Sequence, residues 1–468
     1  MSLAQTSPKV SETSTLLQQA LEIAAEYYSH RDQRPVFPHV TPEELRKAFG
    51  LGRPMPQKGT AAASVISELA AAADRGLVAH TGPRYFGFVI GGSMPVTTAA
   101  DWLTSAWDQN SGLYATSPAA SVVEEVAASW LLELLQLPRN ASVGFVTGCG
   151  MANFTGLAAA RHHVLRQTGW DVELDGLNGA PPINLIVGDE VHVTVLTAMR
   201  MLGLGTRSVK RVPADAQGRM IAAELRKTLA QCSGPTIVCA QAGNVNTGSF
   251  DPLLEITAAA KEKNAWVHVD GAFGLWAGVS DELKHLLAGA EAADSWATDA
   301  HKWLNVPYDS GLVMCAHPEA HRSAMTVTAA YLVQSDKERD PFEWTPEFSR
   351  RGRGFTVYAA LKHLGQEGVS EMIERCCARA RQMAELLGRH PDVEILNDVV
   401  LNQVLVRFGK SDELTREVIF RVQQDGTCWL GGTTWHNMAA MRVSVSNWST
   451  TEHDIDVSAD AILRAMQG

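Results

Sequence analysis

Ser295-Trp-Ala-Thr-Asp-Ala-His301-Lys302-Trp303-Leu-Asn-Val-Pro307-Tyr308-Asp309-Ser-Gly311 places a lysine between two apolar runs. The run Asp294–Ala297 reads as a strand that feeds a short polar turn, and Leu312–Cys315 reads as a second strand closing the unit. Lys302 then lies at the mouth of a sheet with the Trp303 ring beside it. An amine in such a partly apolar setting loses its proton easily and forms a Schiff base with a carbonyl. A lysine in a surface loop has the same local sequence, so the reading rests on what the rest of the chain brings to the same place.

Upstream, short apolar runs alternate with helical patterns. Val143–Val146, Ile183–Val187, Ser208–Val212, Thr236–Ala240 and Trp266–Val269 read as strands. Between them, helical spacing runs from the turn at Gly148 to about Arg166, and over Val191–Leu202, Ala222–Leu229 and Leu253–Lys263. Continuous apolar strands separated by helices predict an α/β fold, with a mostly parallel sheet covered on both faces. The ligand of such a sheet lies at the carboxyl ends of its strands.

Those ends carry chemistry. Asp270 terminates the strand Trp266–Val269, and a carboxylate at the tip of an apolar strand needs a cationic partner or water. Gly148-Cys149-Gly150 stands between a strand and a helix, the arrangement that aims backbone N–H groups and a helix N-terminus at a phosphate. His192 follows another strand end, where it can stack on a ring, and Ala272 is small enough to lie against one. A Schiff-base lysine, a carboxylate that keeps a pyridine nitrogen protonated and a phosphate cradle are the parts of a pyridoxal 5'-phosphate (PLP) site. Singly, each has a plainer explanation as a turn aspartate, a structural histidine or a glycine turn.

The 468 residues exceed one simple core, and 46% hydrophobic with 19% charged residues is ordinary for a globular enzyme. A net charge of −11 argues against nucleic-acid or anionic-membrane partners. Seven scattered cysteines, without C-x-x-C spacing, suit a reducing, cytoplasmic setting. No signal-peptide pattern and no apolar run of about 18 residues is seen, so no membrane association is expected.

The set Gly148-Cys149-Gly150, Asp189-Glu-Val-His192, His268-Val-Asp270-Gly-Ala272 and His301-Lys302-Trp303 resembles the PLP-dependent group II amino-acid decarboxylases, from about Arg84 to the C-terminus. The resemblance implies fold type I, with a seven-stranded sheet in a large domain, a small α/β C-terminal domain and a homodimer with sites at the interface. The expected division is a helical arm over 1–83, a PLP domain over 84–365 and a small domain over 366–468. It implies that Lys302 binds the cofactor covalently, Asp270 pairs with the pyridine nitrogen, and His192 and Ala272 flank the ring. Cys149, Gly150 and His301 are implied phosphate contacts. Asn244 or Asn246 stands where the family often has a Ser or Thr near the cofactor. Arg442, in an apolar strand, is a candidate for the substrate carboxylate by analogy with glutamate decarboxylases, with a solvent-facing arginine as the alternative.

The substrate is read as an amino acid, with a lean toward aromatic or bulky side chains from Tyr85, Phe86, Phe88, Trp102, Trp107 and Tyr114. One departure bears on the product. The family's mobile loop carries a tyrosine that helps protonate the substrate carbon, and its counterpart segment, Arg339-Asp-Pro-Phe-Glu-Trp344, has none. Phenylalanine there is associated in the family with oxidative deamination to an aldehyde, and Tyr331 is the nearest substitute in sequence. Decarboxylation to an amine is therefore the expectation, with an aldehyde-forming reaction or a carbon–carbon lyase as alternatives.

Overall fold

The computed structural model describes residues 8–327 and 337–467. Three helices open it: α1 (Pro8–His30), α2 (Pro42–Ala48) and α3 (Ala62–Asp74). Thr41 caps α2 in a reciprocal pair. Its hydroxyl accepts from Glu44 N, the Glu44 carboxylate accepts from Thr41 N, and Pro42 fills the first helical position. Leu17, Leu21, Val65 and Leu69 on this arm stay exposed, so the other described residues leave these apolar side chains uncovered.

Helices α4 (Pro95–Trp107) and α5 (Pro118–Leu134) lead into a sheet of β1 (Ser142–Val146), β2 (Asn184–Gly188), β3 (Lys210–Val212), β4 (Thr236–Gln241), β5 (Trp266–Asp270), β6 (Ser295–Asp299) and β7 (Gly311–Cys315). Its order is β1-β7-β6-β5-β4-β2-β3. Strands β2 to β6 pair in parallel, and only β7 runs against its two neighbours. The turn through Lys302 returns the chain directly to an adjacent strand, and such a connection without a crossover helix must give an antiparallel pair.

Helices α6 (Cys149–Arg166), α7 (Val172–Asp175), α8 (Val193–Met201), α9 (Ala222–Ala230), α10 (Leu253–Lys261) and α11 (Pro318–Met325) accompany the sheet. Leu185 and Val187 pack in one apolar cluster with Leu157 of α6 and Val195 of α8. The intervening Ile186 joins Leu225 of α9 and Ile256 of α10 in the other. Burial on both faces is why these strands read as unbroken apolar runs.

Helix α12 (Gly354–Gly388) is interrupted at Gly365, whose φ of 63° is a conformation glycine adopts without a side-chain penalty. Beyond it lie β8 (Val393–Ile395), β9 (Gln403–Phe408), α13 (Asp412–Asp425), β10 (Gly431–Trp435), β11 (Met438–Ser444) and α14 (Glu452–Gln467). The four strands form an antiparallel sheet in the order β10-β11-β9-β8. Strand β10, Gly-Gly-Thr-Thr-Trp, lacks the apolar alternation that marks a strand, so only its pairing with β11 reveals it.

Asn305 joins the segment that follows β11 to the site loop. Its Oδ1 accepts from Gly92 N at 2.6 Å and Trp448 N at 3.1 Å, and its Nδ2 donates to Ser446 O at 3.1 Å. Beside it, a Cβ on Gly91 would stand 1.7 Å from Lys302 O, so the chain can pass there only as glycine.

A fully buried ion pair ties α5 to the segment before α12. Arg350 donates Nη1 to Glu124 Oε1 at 2.7 Å and Nη2 to Oε2 at 2.8 Å, with side-chain exposures of 2% and 0%. Ser111 Oγ donates to the same carboxylate. Removing one partner strands the other charge in the interior. Arg339 Nη2 also lies 4.0 Å from Glu124 Oε2, so Glu124 serves two cations. Glu124→Leu is therefore expected to cost more in urea unfolding than Arg350→Met, itself about 3–5 kcal/mol, and adding Arg350→Met to Glu124→Leu to recover only part of the loss.

Candidate active site

Asp270 and Asp299 end the adjacent parallel strands β5 and β6, and both are buried, with exposures of 5% and 2%. The first turn of α6 answers both. Cys149 N donates to Asp299 Oδ1 at 2.6 Å, Cys149 Sγ donates to Asp270 Oδ1 at 3.4 Å, and Asn153 Nδ2 donates to Asp270 Oδ2 at 3.2 Å. Burial, then Asp270 and Asp299, push the Cys149 thiol well above its usual range, so it stays protonated and can donate. Lys302 Nζ lies 3.2 Å from Asp299 Oδ2. Burial opposes its charge, but the nearby carboxylates, Asp299 foremost, outweigh burial and raise Lys302 above its ordinary value. This corrects the expectation of an easily deprotonated lysine: Asp299, three residues upstream at the end of β6, holds Lys302 toward its charged form.

Behind Asp270 runs a buried relay. Trp266 Nε1 donates to Ser295 Oγ, which pairs with His268 Nδ1 at 2.8 Å, and His268 Nε2 pairs with Asn153 Oδ1 at 2.9 Å. Asn153 then donates to Asp270, so the hydrogen-bond directions suit a neutral His268 with its proton on Nε2. Burial pushes His268 down to about 4. His192, at the N-cap of α8, accepts at Nδ1 from the Thr194 hydroxyl at 2.8 Å, and Asn153 Nδ2 approaches that hydroxyl at 3.3 Å. Burial lowers His192 as well, leaving Nε2 to carry its proton. His301 accepts from Ser310 N at 3.0 Å, lies 3.4 Å from Asp299 and stacks on Tyr308 with ring centroids 4.2 Å apart.

The structure thus gathers Lys302, Asp270, Cys149, His192 and His301, with Ala272 donating its N–H to Asp270 and accepting from Asp299 N. Gly150 lies in the first turn of α6, where its N–H has no acceptor within the helix. A Cβ there would meet only Thr194 Cγ2, at 4.0 Å, so the backbone faces open space. Arg442 joins the group: its charge acts on His192, its Nη1 donates to Val245 O at 3.3 Å, and it has no acidic partner among the described residues.

Other expectations fare differently. Asn244 spends its oxygen on Asn246 N and Thr247 N, which shapes its own turn, while its buried Nδ2 has no partner among the described residues. Asn246 accepts from Thr433 of β10. Phe86 is 1% exposed within the main core. Tyr331 lies outside the described residues. The six aromatic residues do not form one wall: Tyr85 and Phe88 stack on Trp429, whereas Trp102 and Trp107 are partly exposed on α4. Phe342 is buried against Phe348. The site also uses Asn153, Thr194, Ser295 and Asp299, which the sequence reading does not include. Of these, only Asp299 carried a signal, as a carboxylate at a strand end like Asp270.

These donors fit PLP. An amine, a buried carboxylate with hydrogen-bond support for its charge, and an open first-turn N–H meet at one end of the sheet. The relay also makes a pH prediction. His268 lies at about 4 in the folded chain against 6.5 as its ordinary value, so the unfolded chain binds more protons between these values. Stability is therefore complete above about pH 6.5 and falls as pH drops toward about 4. His268→Gln should lower the urea midpoint at pH 7 and flatten its decline between pH 7 and pH 5.

The family described as "Pyridoxal-dependent decarboxylase conserved domain" matches residues 42–409. An aromatic-L-amino-acid decarboxylase of Bacillus atrophaeus is 26% identical over 94% of this chain and 92% of that protein. A 4-hydroxyphenylacetaldehyde synthase of Rhodiola rosea is 25% identical over 96% and 93%. The structure of Oryza sativa TDC with PLP and tryptamine superposes with a TM-score of 0.91, at 23% identity, over 100% of this chain and 99% of that one. With the site geometry above, the match over most of its length places this chain in the pyridoxal-dependent decarboxylase family.

Proposed function

We propose that this chain removes the α-carboxylate of an L-amino acid with an aromatic or bulky apolar side chain, releasing the amine and CO2. The observation that carries the reading is geometric: Lys302 and Asp270 meet at the ends of β5 and β6 beside the start of α6, where Cys149 and Asn153 hold Asp270 and Asp299 holds Lys302. The aromatic lean is supported by the Bacillus relative and by the stacked group Tyr85, Trp429 and Phe88.

Bound PLP supplies an electron sink for the carbon that loses CO2. Lys302 would hold it covalently, and Gly150 N, His301 and the first turn of α6 would hold its phosphate. Asp270 would pair with the ring nitrogen, and Asn153 and the Cys149 thiol orient that carboxylate. His192 and Ala272 would flank the ring. Arg442 is assigned the substrate carboxylate, because a partly buried guanidinium with no acid partner among the described residues has N–H groups to donate to one. Asn244 and Asn246 are read as organisers of the loop that presents Val245 O to Arg442.

We read the chain as an arm, a cofactor domain and a small domain divided near 83 and 365, the second boundary falling at the Gly365 break. The uncovered apolar side chains Leu17, Leu21, Leu103, Trp107 and Val122 support a homodimer. Seven unpaired cysteines support a cytoplasmic setting, and no helix among the described residues is long and apolar enough to cross a membrane.

The test is incubation of PLP-loaded protein with the twenty standard amino acids while CO2, amine, aldehyde and hydrogen peroxide are followed together. Equal CO2 and amine from aromatic amino acids are expected. Aldehyde with peroxide would establish the second reading, which the tyrosine-free 339–344 segment and the Rhodiola relative favour. Turnover of acidic amino acids alone would defeat the aromatic assignment. Arg442→Met should raise KM for the amino acid by about 10–100-fold, the worth of a charge-assisted hydrogen bond, while leaving affinity for the product amine unchanged.

A further inference from the structure

We propose that Asp299 is a built-in competitor of the cofactor's phosphate: its carboxylate already occupies the anion-binding end of α6 and pairs with Lys302. The proposal rests on the assignment of the α6 N-terminus as the phosphate cradle.

Three donors converge on this one side chain. Cys149 N donates to Oδ1 at 2.6 Å, His301 Nε2 lies 3.4 Å from the same oxygen, and Lys302 Nζ lies 3.2 Å from Oδ2. Cys149 and His301 are two of the groups that a phosphate would use, and Lys302 is the amine that must attack the cofactor's aldehyde. With 2% exposure, Asp299 has no water to take their place. The wall opposite offers no relief, since Gly148 Cα lies against Gly311 and a Cβ on Gly148 would meet His301 Cε1 at 3.1 Å and Asp299 Oδ1 at 3.4 Å. A dianion entering beside Gly150 therefore meets a fixed negative charge on the donors it needs.

Two consequences follow. Repulsion between the carboxylate and the phosphate weakens binding of any phosphorylated ligand, and the Asp299–Lys302 pair holds the amine in its unreactive, protonated form. Lys302 is raised in the direction this pairing requires. An asparagine at 299 separates the two. Its Oδ1 still accepts from Cys149 N, so the turn keeps its hydrogen bond, while its Nδ2 neither repels phosphate nor accepts from Lys302.

Pyridoxine 5'-phosphate and pyridoxine lack the aldehyde, so neither reacts with Lys302, and together they isolate the phosphate contribution. Dissociation constants are measured by calorimetry on cofactor-free wild type, Asp299→Asn and Asp299→Ser. The serine variant serves if the asparagine variant fails to fold, as judged by its melting curve. The expected result is about tenfold or more tighter binding of pyridoxine 5'-phosphate by the variants, from loss of one nearby like charge, with pyridoxine unchanged. PLP uptake, followed by the absorbance of the lysine-bound cofactor, should also become faster. Equal improvement for both probes, no change, or weaker binding of the phosphorylated probe would overturn the competition. Failure of wild type and variants alike to bind the phosphorylated probe or to take up PLP would defeat the cradle assignment, and the proposal with it.

Discussion

Two carboxylates buried side by side at the ends of parallel strands set the terms for this molecule. An ionised group in the interior is tolerated only where hydrogen bonds and opposite charge replace lost water. Asp270 and Asp299 draw that compensation from one place, the first turn of α6, with Lys302 adding the cation. The glycine turn before α6, the direction of β5 and β6 and the tight return from β6 to β7 all serve to bring those groups within reach. The same arrangement gives the sheet's end its chemistry, because an amine, a carboxylate and the free N–H of Gly150 are held together there.

The site is stiffened from behind and from the side. Behind Asp270, the relay through Asn153, His268, Ser295 and Trp266 places neutral groups in fixed donor and acceptor roles, so the carboxylate cannot rotate without breaking a buried chain. From the side, Asn305 joins the loop after Lys302 to the segment that follows β11, and Gly91 lets another segment press against the lysine's own carbonyl. Strand β11 and the segment after it therefore act on the site twice, by bracing the lysine loop and by presenting Arg442 from β11.

Within the chain itself, Asp299 balances the Lys302 charge and accepts from the first N–H of α6, so one carboxylate answers both the lysine and the helix end.

Much of this was legible in the chain itself. Unbroken apolar runs alternating with helical spacing dictate a parallel sheet buried on both faces, and ligand chemistry at its strand ends follows from that topology. Asp270, Lys302, His192 and the glycine turn could be read because each sits at a fixed offset from a strand that its own residues announce. Strand β10 could not be, because glycine and threonine carry no periodic apolar signal. Nor could the relay behind Asp270 or the pairing of Asp299 with both Cys149 N and Lys302. Those contacts join residues far apart in the chain, and a polar side chain's partner is decided by which elements pack together. The local sequence determined which elements form and where reactive groups leave them. Only the tertiary structure decided which charges meet, because burial and distance, not residue type, set whether a lysine is free or held.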